Sequence, residues 1–104
     1  VYKLSCETSE YMGLSGLVKR DDIVANCDYV GDGYGVPTKG MNDAILLLAR
    51  LEGLLFDPVY SGKGLAGMID LIGRGYFKNQ RNIVFIHTGG ATGLFAYHDL
   101  LSTK

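Results

Sequence analysis

Hydroxyl side chains and glycines occur together at two places in this chain of 104 residues. The first is the run Asp57-Pro-Val-Tyr-Ser-Gly-Lys-Gly64, and the second, further along, is Ile86-His-Thr-Gly-Gly90. At each place an apolar, strand-like run gives way to a helix-like pattern. In open α/β sheets such loops join the carboxyl ends of strands to the amino ends of helices, and ligands bind there. Tyr60, Ser61 and Thr88 are therefore the first candidates for contact with a ligand.

Structural roles are open for the same side chains. Ser61 suits the N-cap of a helix, and the hydroxyl of a packed Tyr60 needs only a hydrogen-bond partner. Lys63 is predicted to be a solvated lysine of a first helical turn, although a buried lysine could instead form a Schiff base. His87 and His98 are predicted to be structural. The residue types alone thus support a ligand site at these two loops and leave the reaction open.

Several generic motifs are absent. Gly62-Lys63 is followed by Gly64, and position 57 is Asp, so the GxxxxGK[ST] phosphate loop fails twice. The glycines at 31, 33 and 35 precede no helix start at the offset of a dinucleotide fingerprint. Thr88-Gly-Gly90 could cradle an anion with backbone N–H groups, but a plain tight turn explains it equally well. No pair of side chains has the spacing of a metal site.

Composition bounds the function classes. Hydrophobic residues make up 47% and charged residues 20%, as in an ordinary globular domain with one modest core. A net charge of −1 gives no electrostatic footprint for nucleic acid or an anionic membrane. No apolar run approaches the ~20 residues that span a bilayer, and no secretory signal is recognisable. Cys6 and Cys27 lack CxxC spacing, so free thiols and a cytoplasmic location are expected, with a disulfide or metal binding as the alternatives.

Four helices are predicted to position the loops. A loose helical pattern covers residues from about 2 to 14. Thr38 as N-cap and Gly53 as C′ residue bound the clearest helix, in which Met41, Ala44, Ile45 and Leu48 share a face. A third helix is predicted from about Gly62 to Gly73, and a terminal helix from Ala91 to about Leu101, with Leu94, Phe95, His98 and Leu101 in register.

Short apolar runs lie between these helices. Leu54–Phe56 and Asn82–His87 suit parallel strands buried on both faces, and residues 23–30 suit an extended segment that enters a glycine-rich loop. The alternation predicts an α/β fold: part of a three-layer, open, mainly parallel sheet with flanking helices. Two or three strands make a narrow sheet, so we expect it to continue into other sequence.

Five runs together resemble one known family. They are Gly31-Asp-Gly-Tyr-Gly-Val-Pro-Thr-Lys-Gly40, Ala49-Arg-Leu-Glu-Gly53, Asp57-Pro-Val-Tyr-Ser-Gly-Lys63, Gly67-Met-Ile-Asp70 and His87-Thr-Gly-Gly90. They are similar to the carboxyl-terminal third of the D-cysteine desulfhydrase and 1-aminocyclopropane-1-carboxylate deaminase group, in the fold type II (tryptophan-synthase-β-like) pyridoxal-phosphate superfamily. The resemblance covers roughly residues 5–100. It implies that residues 1–104, which begin with Val, are a single partial domain from the end of a homodimeric enzyme acting on an amino acid.

Residue roles follow from the resemblance by position. Tyr60 matches a tyrosine beside cofactor and substrate, and Tyr34 an aromatic residue of the substrate pocket. Ser61 stands where the deaminases carry a glutamate that reaches the pyridine nitrogen, and Thr88 where they carry a leucine. Gly89 joins Ser61, Thr88 and Tyr60 in the implied cofactor site. The resemblance at Ser61 and Thr88, where the residues differ from those of the deaminases, points to the desulfhydrase branch.

The implied chemistry agrees with that branch. A neutral hydroxyl leaves the pyridine nitrogen largely unprotonated, which suffices for thiolate loss from a β-carbon but suits cyclopropane opening less well. The expected reaction is α,β-elimination of D-cysteine to pyruvate, ammonia and hydrogen sulfide. The Schiff-base lysine, its adjoining asparagine and the main phosphate loop have no match here and are expected upstream, so the isolated fragment is expected to be inactive. The alternatives are a deaminase, a lyase for another β-substituted amino acid, and a non-catalytic α/β binding domain.

Overall fold

Four α-helices and two 3₁₀ segments form the regular structure of residues 1–101, the part of the chain that the computed structural model describes. The helices are α1 (Tyr2–Tyr11), α2 (Lys39–Glu52), α3 (Ser61–Gly73) and α4 (His98–Leu101), and the 3₁₀ segments are Arg20–Asp22 and Ala91–Tyr97. None of these helices is long and apolar enough to cross a membrane.

Helix α2 confirms the helix predicted between Thr38 and Gly53. The Thr38 hydroxyl accepts a hydrogen bond from the backbone N–H of Met41 at 3.2 Å, as an N-cap does. Gly53 ends the helix in the left-handed conformation at φ 68°, which a residue without a Cβ adopts most readily. The sequence signals suffice here because both ends are set by local backbone chemistry.

Helices α2 and α3 pack together and contain most of the core. Met41, Ala44 and Ile45 of α2 are buried with Leu65 of α3 and with Phe56 from the segment between the helices. The approach is close at Gly62, which lies against the Ile45 side chain. The packing of α3 against α2 fixes the position of the first turn of α3, around which part of the candidate site lies.

The predicted sheet is wrong, because residues 1–101 contain no strand. Leu54–Phe56 and Asn82–His87 are irregular, and no backbone hydrogen bond joins them. Neither segment is buried on both faces: Val84 is 84% and Ile86 79% exposed, and only Phe56 of the first segment is buried. An apolar run becomes a strand only when a partner supplies the hydrogen-bond ladder. Here side chains link the segments instead, through rings of Phe56, Phe85 and His87.

The carboxyl-terminal helix is also corrected. Ala91–Tyr97 is a 3₁₀ segment, and α-helical structure begins only at His98. Gly90 precedes it at φ 85°, and Gly93 donates its N–H to the Gly90 carbonyl in a three-residue step. Glycine stabilises α-helical turns poorly, so the tighter helix occupies this stretch. The side chain of Leu101, predicted to share the inner face, lies outside the described residues.

Replacing Gly62 with Ala is expected to lower the free energy of unfolding by about 1–3 kcal/mol. An added Cβ would lie 2.7 Å from both the Asp57 carbonyl oxygen and the Ile45 Cδ1, so backbone would have to move. Gly73→Ala in the same helix is the matched control, since no atom lies within 4 Å of the added Cβ. Urea unfolding of the intact polypeptide measures both. Equal midpoints for the two variants would contradict the packing described here.

Candidate functional site

A cavity of about 1050 Å³ lies beside α3. Aromatic side chains line much of it, and three of the residues on its wall are Tyr34, Tyr60 and Lys63. Its volume is at the upper end of the range for small-molecule sites. Ser61, Thr88 and Gly89 are not among its lining residues. The predicted residues therefore fall into three groups: Tyr34 and Tyr60 on the cavity wall, Ser61 at the start of α3, and Thr88 and Gly89 in the loop after residue 86.

The two tyrosines form the first group. The Tyr60 hydroxyl donates to the Tyr34 hydroxyl at 2.9 Å, and the rings meet edge to face with centroids 5.7 Å apart. Both remain accessible, with exposed fractions of 78% for Tyr34 and 63% for Tyr60. The hydrogen bond to Tyr34, aided by burial, raises the pKa of Tyr60 above its ordinary value of 10.0. Tyr60 is thus a neutral phenol at physiological pH, and the Tyr34 proton is left to point to a ligand.

Ser61, the second group, is hydrogen-bonded to Asp57, which was not predicted as a site residue. The Ser61 hydroxyl donates to Asp57 Oδ2 and accepts from the Asp57 backbone N–H at 3.0 Å. The same carboxylate accepts the backbone N–H groups of Val59, Tyr60 and Ser61 at 2.7–2.8 Å. Asp57 therefore satisfies the amino end of α3, where unpaired N–H groups would otherwise remain. The N-cap position belongs to Tyr60, so the alternative that Ser61 is the N-cap is off by one residue.

The protonation of Asp57 reflects these contacts. Burial by itself raises the pKa of the carboxyl, but the hydrogen bonds from the Ser61 hydroxyl and from the Tyr60, Ser61 and Val59 N–H groups outweigh it. The net pKa lies below its usual value. A buried anion thus stabilises the helix start by both hydrogen bonding and the helix dipole.

The loop after residue 86 approaches the same carboxylate. His87 Nδ1 accepts the backbone N–H of Gly89 at 2.9 Å, so the proton lies on Nε2, which donates to the Leu55 carbonyl at 2.8 Å. His87 is a structural residue, as predicted. Gly90 packs against Asp57, since an added Cβ would lie 3.0 Å from the Asp57 Cβ. Thr88 is exposed, and within residues 1–101 its hydroxyl has no hydrogen-bond partner.

Lys63 departs from its prediction as a solvated residue. Only 7% of it is exposed, and its ammonium donates to the carbonyl oxygens of Val30 and Gly33. Asp57 was not among the predicted site residues, because only the N-cap position itself was considered at the start of this helix. A sequence signal did exist: an Asp three residues before a helix cap can accept several N–H groups. No cluster of His, Cys, Asp and Glu that could hold a metal ion occurs in residues 1–101.

Comparison with known families matches most of this chain. Residues 5–89 match the family model described as Pyridoxal-phosphate dependent enzyme. The matched range includes both tyrosines, Asp57, Ser61, Lys63 and the loop through Gly89, so all the predicted site residues fall inside it.

Proposed function

Because the chain belongs to the family of pyridoxal-phosphate dependent enzymes, we propose that it supplies one wall of the active site of a D-cysteine desulfhydrase-type lyase. The reaction is elimination of D-cysteine with uptake of one water, giving pyruvate, ammonia and hydrogen sulfide. The observation that carries the proposal is the neutral hydroxyl at both Ser61 and Thr88, where the deaminases of the resembling group carry glutamate and leucine. Family membership also disfavours the alternative of a non-catalytic binding domain.

An unprotonated pyridine nitrogen requires a hydrogen-bond donor, and the candidate donors are the hydroxyls of Ser61 and Thr88. Ser61 has one hydroxyl proton, and that proton is already donated to Asp57. The Thr88 hydroxyl has its proton available. We therefore propose that the Thr88 hydroxyl donates a hydrogen bond to the ring nitrogen. Ser61 instead holds the Asp57 carboxylate in place at the start of the helix. Gly89 lies beside Thr88, and no atom of the described residues lies within 4 Å of a Cβ added to it, so the space there is open.

The phosphate fits the described residues less well. The N–H groups of Tyr60 and Ser61 are bonded to Asp57, and that of Gly89 is bonded to His87. A phosphate would have to break these bonds, so we place its cradle in the rest of the polypeptide. The Schiff-base lysine belongs there too, because Lys63 Nζ is directed at two backbone carbonyls.

The cavity side of the wall positions the amino acid. Bound pyridoxal phosphate supplies an electron sink conjugated with the α-carbon of the substrate. The Tyr60 hydroxyl gives its proton to Tyr34 and so orients the Tyr34 hydroxyl, whose own proton is donated to the substrate. Neither phenol is a base in this arrangement, so proton removal from the α-carbon falls to the lysine elsewhere in the polypeptide.

Thr88→Val in the intact enzyme is expected to lower kcat/KM for D-cysteine by about tenfold, the factor that one hydrogen bond of ~1.4 kcal/mol supplies. The absorption band of bound pyridoxal phosphate should shift as well. Ser61→Ala is the comparison: it should lower the unfolding midpoint and leave that band in place, because the serine proton goes to Asp57. A band shifted by Ser61→Ala but not by Thr88→Val would reverse the assignment.

The experiment that tests the function is a steady-state assay of the intact enzyme. D-cysteine, L-cysteine and 1-aminocyclopropane-1-carboxylate are supplied separately, and sulfide and keto acid are measured. Sulfide from D-cysteine supports the proposal. Ring opening without sulfide release would indicate the deaminase branch, and turnover of another β-substituted amino acid only would indicate a different lyase. We also propose a cytoplasmic homodimer, for which light scattering gives the oligomeric state.

A further inference from the structure

Lys63 is a buried cation on the wall of the cavity. It is the third residue of α3, its exposed fraction is 7%, and no carboxylate of residues 1–100 lies within ion-pairing distance of it. Burying an ammonium without an anion is costly, so hydrogen bonds must compensate it. Two backbone carbonyls do so: that of Gly33 lies 2.9 Å from Nζ, and that of Val30 is also bonded. Stability alone would be served more simply by an apolar side chain.

Both carbonyls belong to the loop that carries Tyr34. This loop contains Gly31, Gly33 and Gly35, each with positive φ, and residues 30–36 have one backbone hydrogen bond within the loop, from Val36 N–H to the Gly33 carbonyl. Glycines with positive φ confer freedom on a chain that has few bonds of its own. Contacts from outside the loop must therefore fix its position.

One face of α3 supplies most of those contacts. Residues 60, 63, 67 and 70 follow the spacing of a single helical face. The Tyr29 ring packs against Gly67, where an added Cβ would be 2.8 Å from a ring atom, and its hydroxyl donates to Asp70 at 2.7 Å. The Lys63 ammonium hydrogen-bonds two backbone carbonyls in the middle of segment 29–34, and the Tyr60 hydroxyl hydrogen-bonds Tyr34 at the end of that segment. Lys63 is the member of this face that holds the backbone just before Tyr34.

We propose that Lys63 is a positioning residue, whose ammonium fixes the loop backbone so that the Tyr34 hydroxyl meets Tyr60 at the cavity mouth. The inference rests on the proposed function only for the consequence in turnover. The position of the loop can be measured without any substrate. Lys63 contributes neither a proton nor an electron pair to the reaction; it acts through Tyr34.

The test compares Lys63→Met with Lys39→Met in the intact, cofactor-loaded enzyme. Lys39 is the matched control because its ammonium is exposed and pairs with Asp43 on the surface. Hydrogen–deuterium exchange without substrate should become faster at the amides of residues 30–36 in Lys63→Met only. With substrate, kcat/KM should fall about 10- to 100-fold, the range expected for a misplaced side chain. Lys39→Met should match the wild type in both measurements.

A double-mutant cycle separates positioning from general stability. If Lys63 acts through Tyr34, Lys63→Met should lower kcat/KM by a much smaller factor in a Tyr34→Phe background than in the wild type. An equal loss of kcat/KM in both backgrounds, or unchanged hydrogen–deuterium exchange at residues 30–36, would overturn the proposal.

If Lys63→Met does not fold, Lys63→Gln, which keeps a hydrogen-bond donor, is measured instead. Failure of both variants to fold would assign the lysine to stability and also reject the inference. Absence of D-cysteine turnover in the wild type would reject the proposed function and leave the exchange result standing.

Discussion

Tyr60→Phe is expected to lower kcat/KM of the intact enzyme by about 10- to 100-fold, because the Tyr34 hydroxyl that meets the substrate loses the hydrogen bond that orients it. The Tyr60 hydroxyl lies on the cavity wall, and its raised pKa keeps it protonated, so phenylalanine removes the donor to Tyr34 and not a base. The ring contact with Tyr34 is retained, which separates loss of the hydroxyl from loss of packing. Steady-state kinetics with D-cysteine measures the effect.

Controls for this prediction come from two other tyrosines. Tyr11→Phe changes a side chain that is 93% exposed in α1 and should leave kcat/KM at the wild-type value. Tyr34→Phe removes the acceptor that raises the pKa of Tyr60, so that pKa should move down towards its ordinary value. Ultraviolet titration of the phenol, or the alkaline limb of the rate profile, reports the shift. Full activity in Tyr60→Phe would remove this residue from the site.

Asp57→Ala is expected to lower the free energy of unfolding by about 2–3 kcal/mol, more than an ordinary helix cap, because buried N–H groups lose their acceptor. Four hydrogen-bond donors converge on this one carboxylate: the N–H groups of Val59, Tyr60 and Ser61 and the Ser61 hydroxyl. Asp43→Ala is the matched control, since Asp43 forms only an exposed pair with Lys39 and such pairs contribute little. Urea unfolding of the intact polypeptide at neutral pH gives both values.

The pH dependence of Asp57 has a definite sign. Its pKa is lower in the folded chain than the value of about 3.9 expected when unfolded. The stabilisation is therefore fully present above that unfolded value and is lost as the pH falls through the lower folded pKa. Asp57→Asn has no carboxyl to titrate at this position. The difference in the free energy of unfolding between wild type and variant should therefore become smaller as the pH falls below about 4. A gap that stays constant down to pH 2 would contradict the assignment.

Local signals predicted the helices well and the rest of the fold poorly. Thr38 and Gly53 bound α2 because capping depends on a few neighbouring residues. Leu54–Phe56 and Asn82–His87 have the composition of strands, yet strand formation depends on a partner that composition does not reveal. The prediction of a terminal α-helix was wrong around Gly93, because the weak helix propensity of glycine allowed a tighter 3₁₀ turn there.

The candidate site shows the same division. Tyr34 and Tyr60 were predicted as parts of one pocket, and the structure brings their hydroxyls together. Asp57 and Lys63 were not assigned their observed contacts, because a carboxylate that bonds three N–H groups and an ammonium that bonds two carbonyls are properties of backbone conformation. Side-chain types mark the candidate contacts for a ligand, and the surrounding backbone determines which of their polar groups remain available.

The contact between Asp57 and Gly90 has a consequence for the design of altered specificity. One carboxylate bonds the residues that precede and begin α3 and also touches the glycine two positions after Thr88. We therefore expect a displacement of Tyr60 to disturb the position of the threonine as well, because Asp57 contacts both sides of the site. Libraries that vary position 60 alone should accumulate compensating changes at 88–90, so these positions are best randomised together.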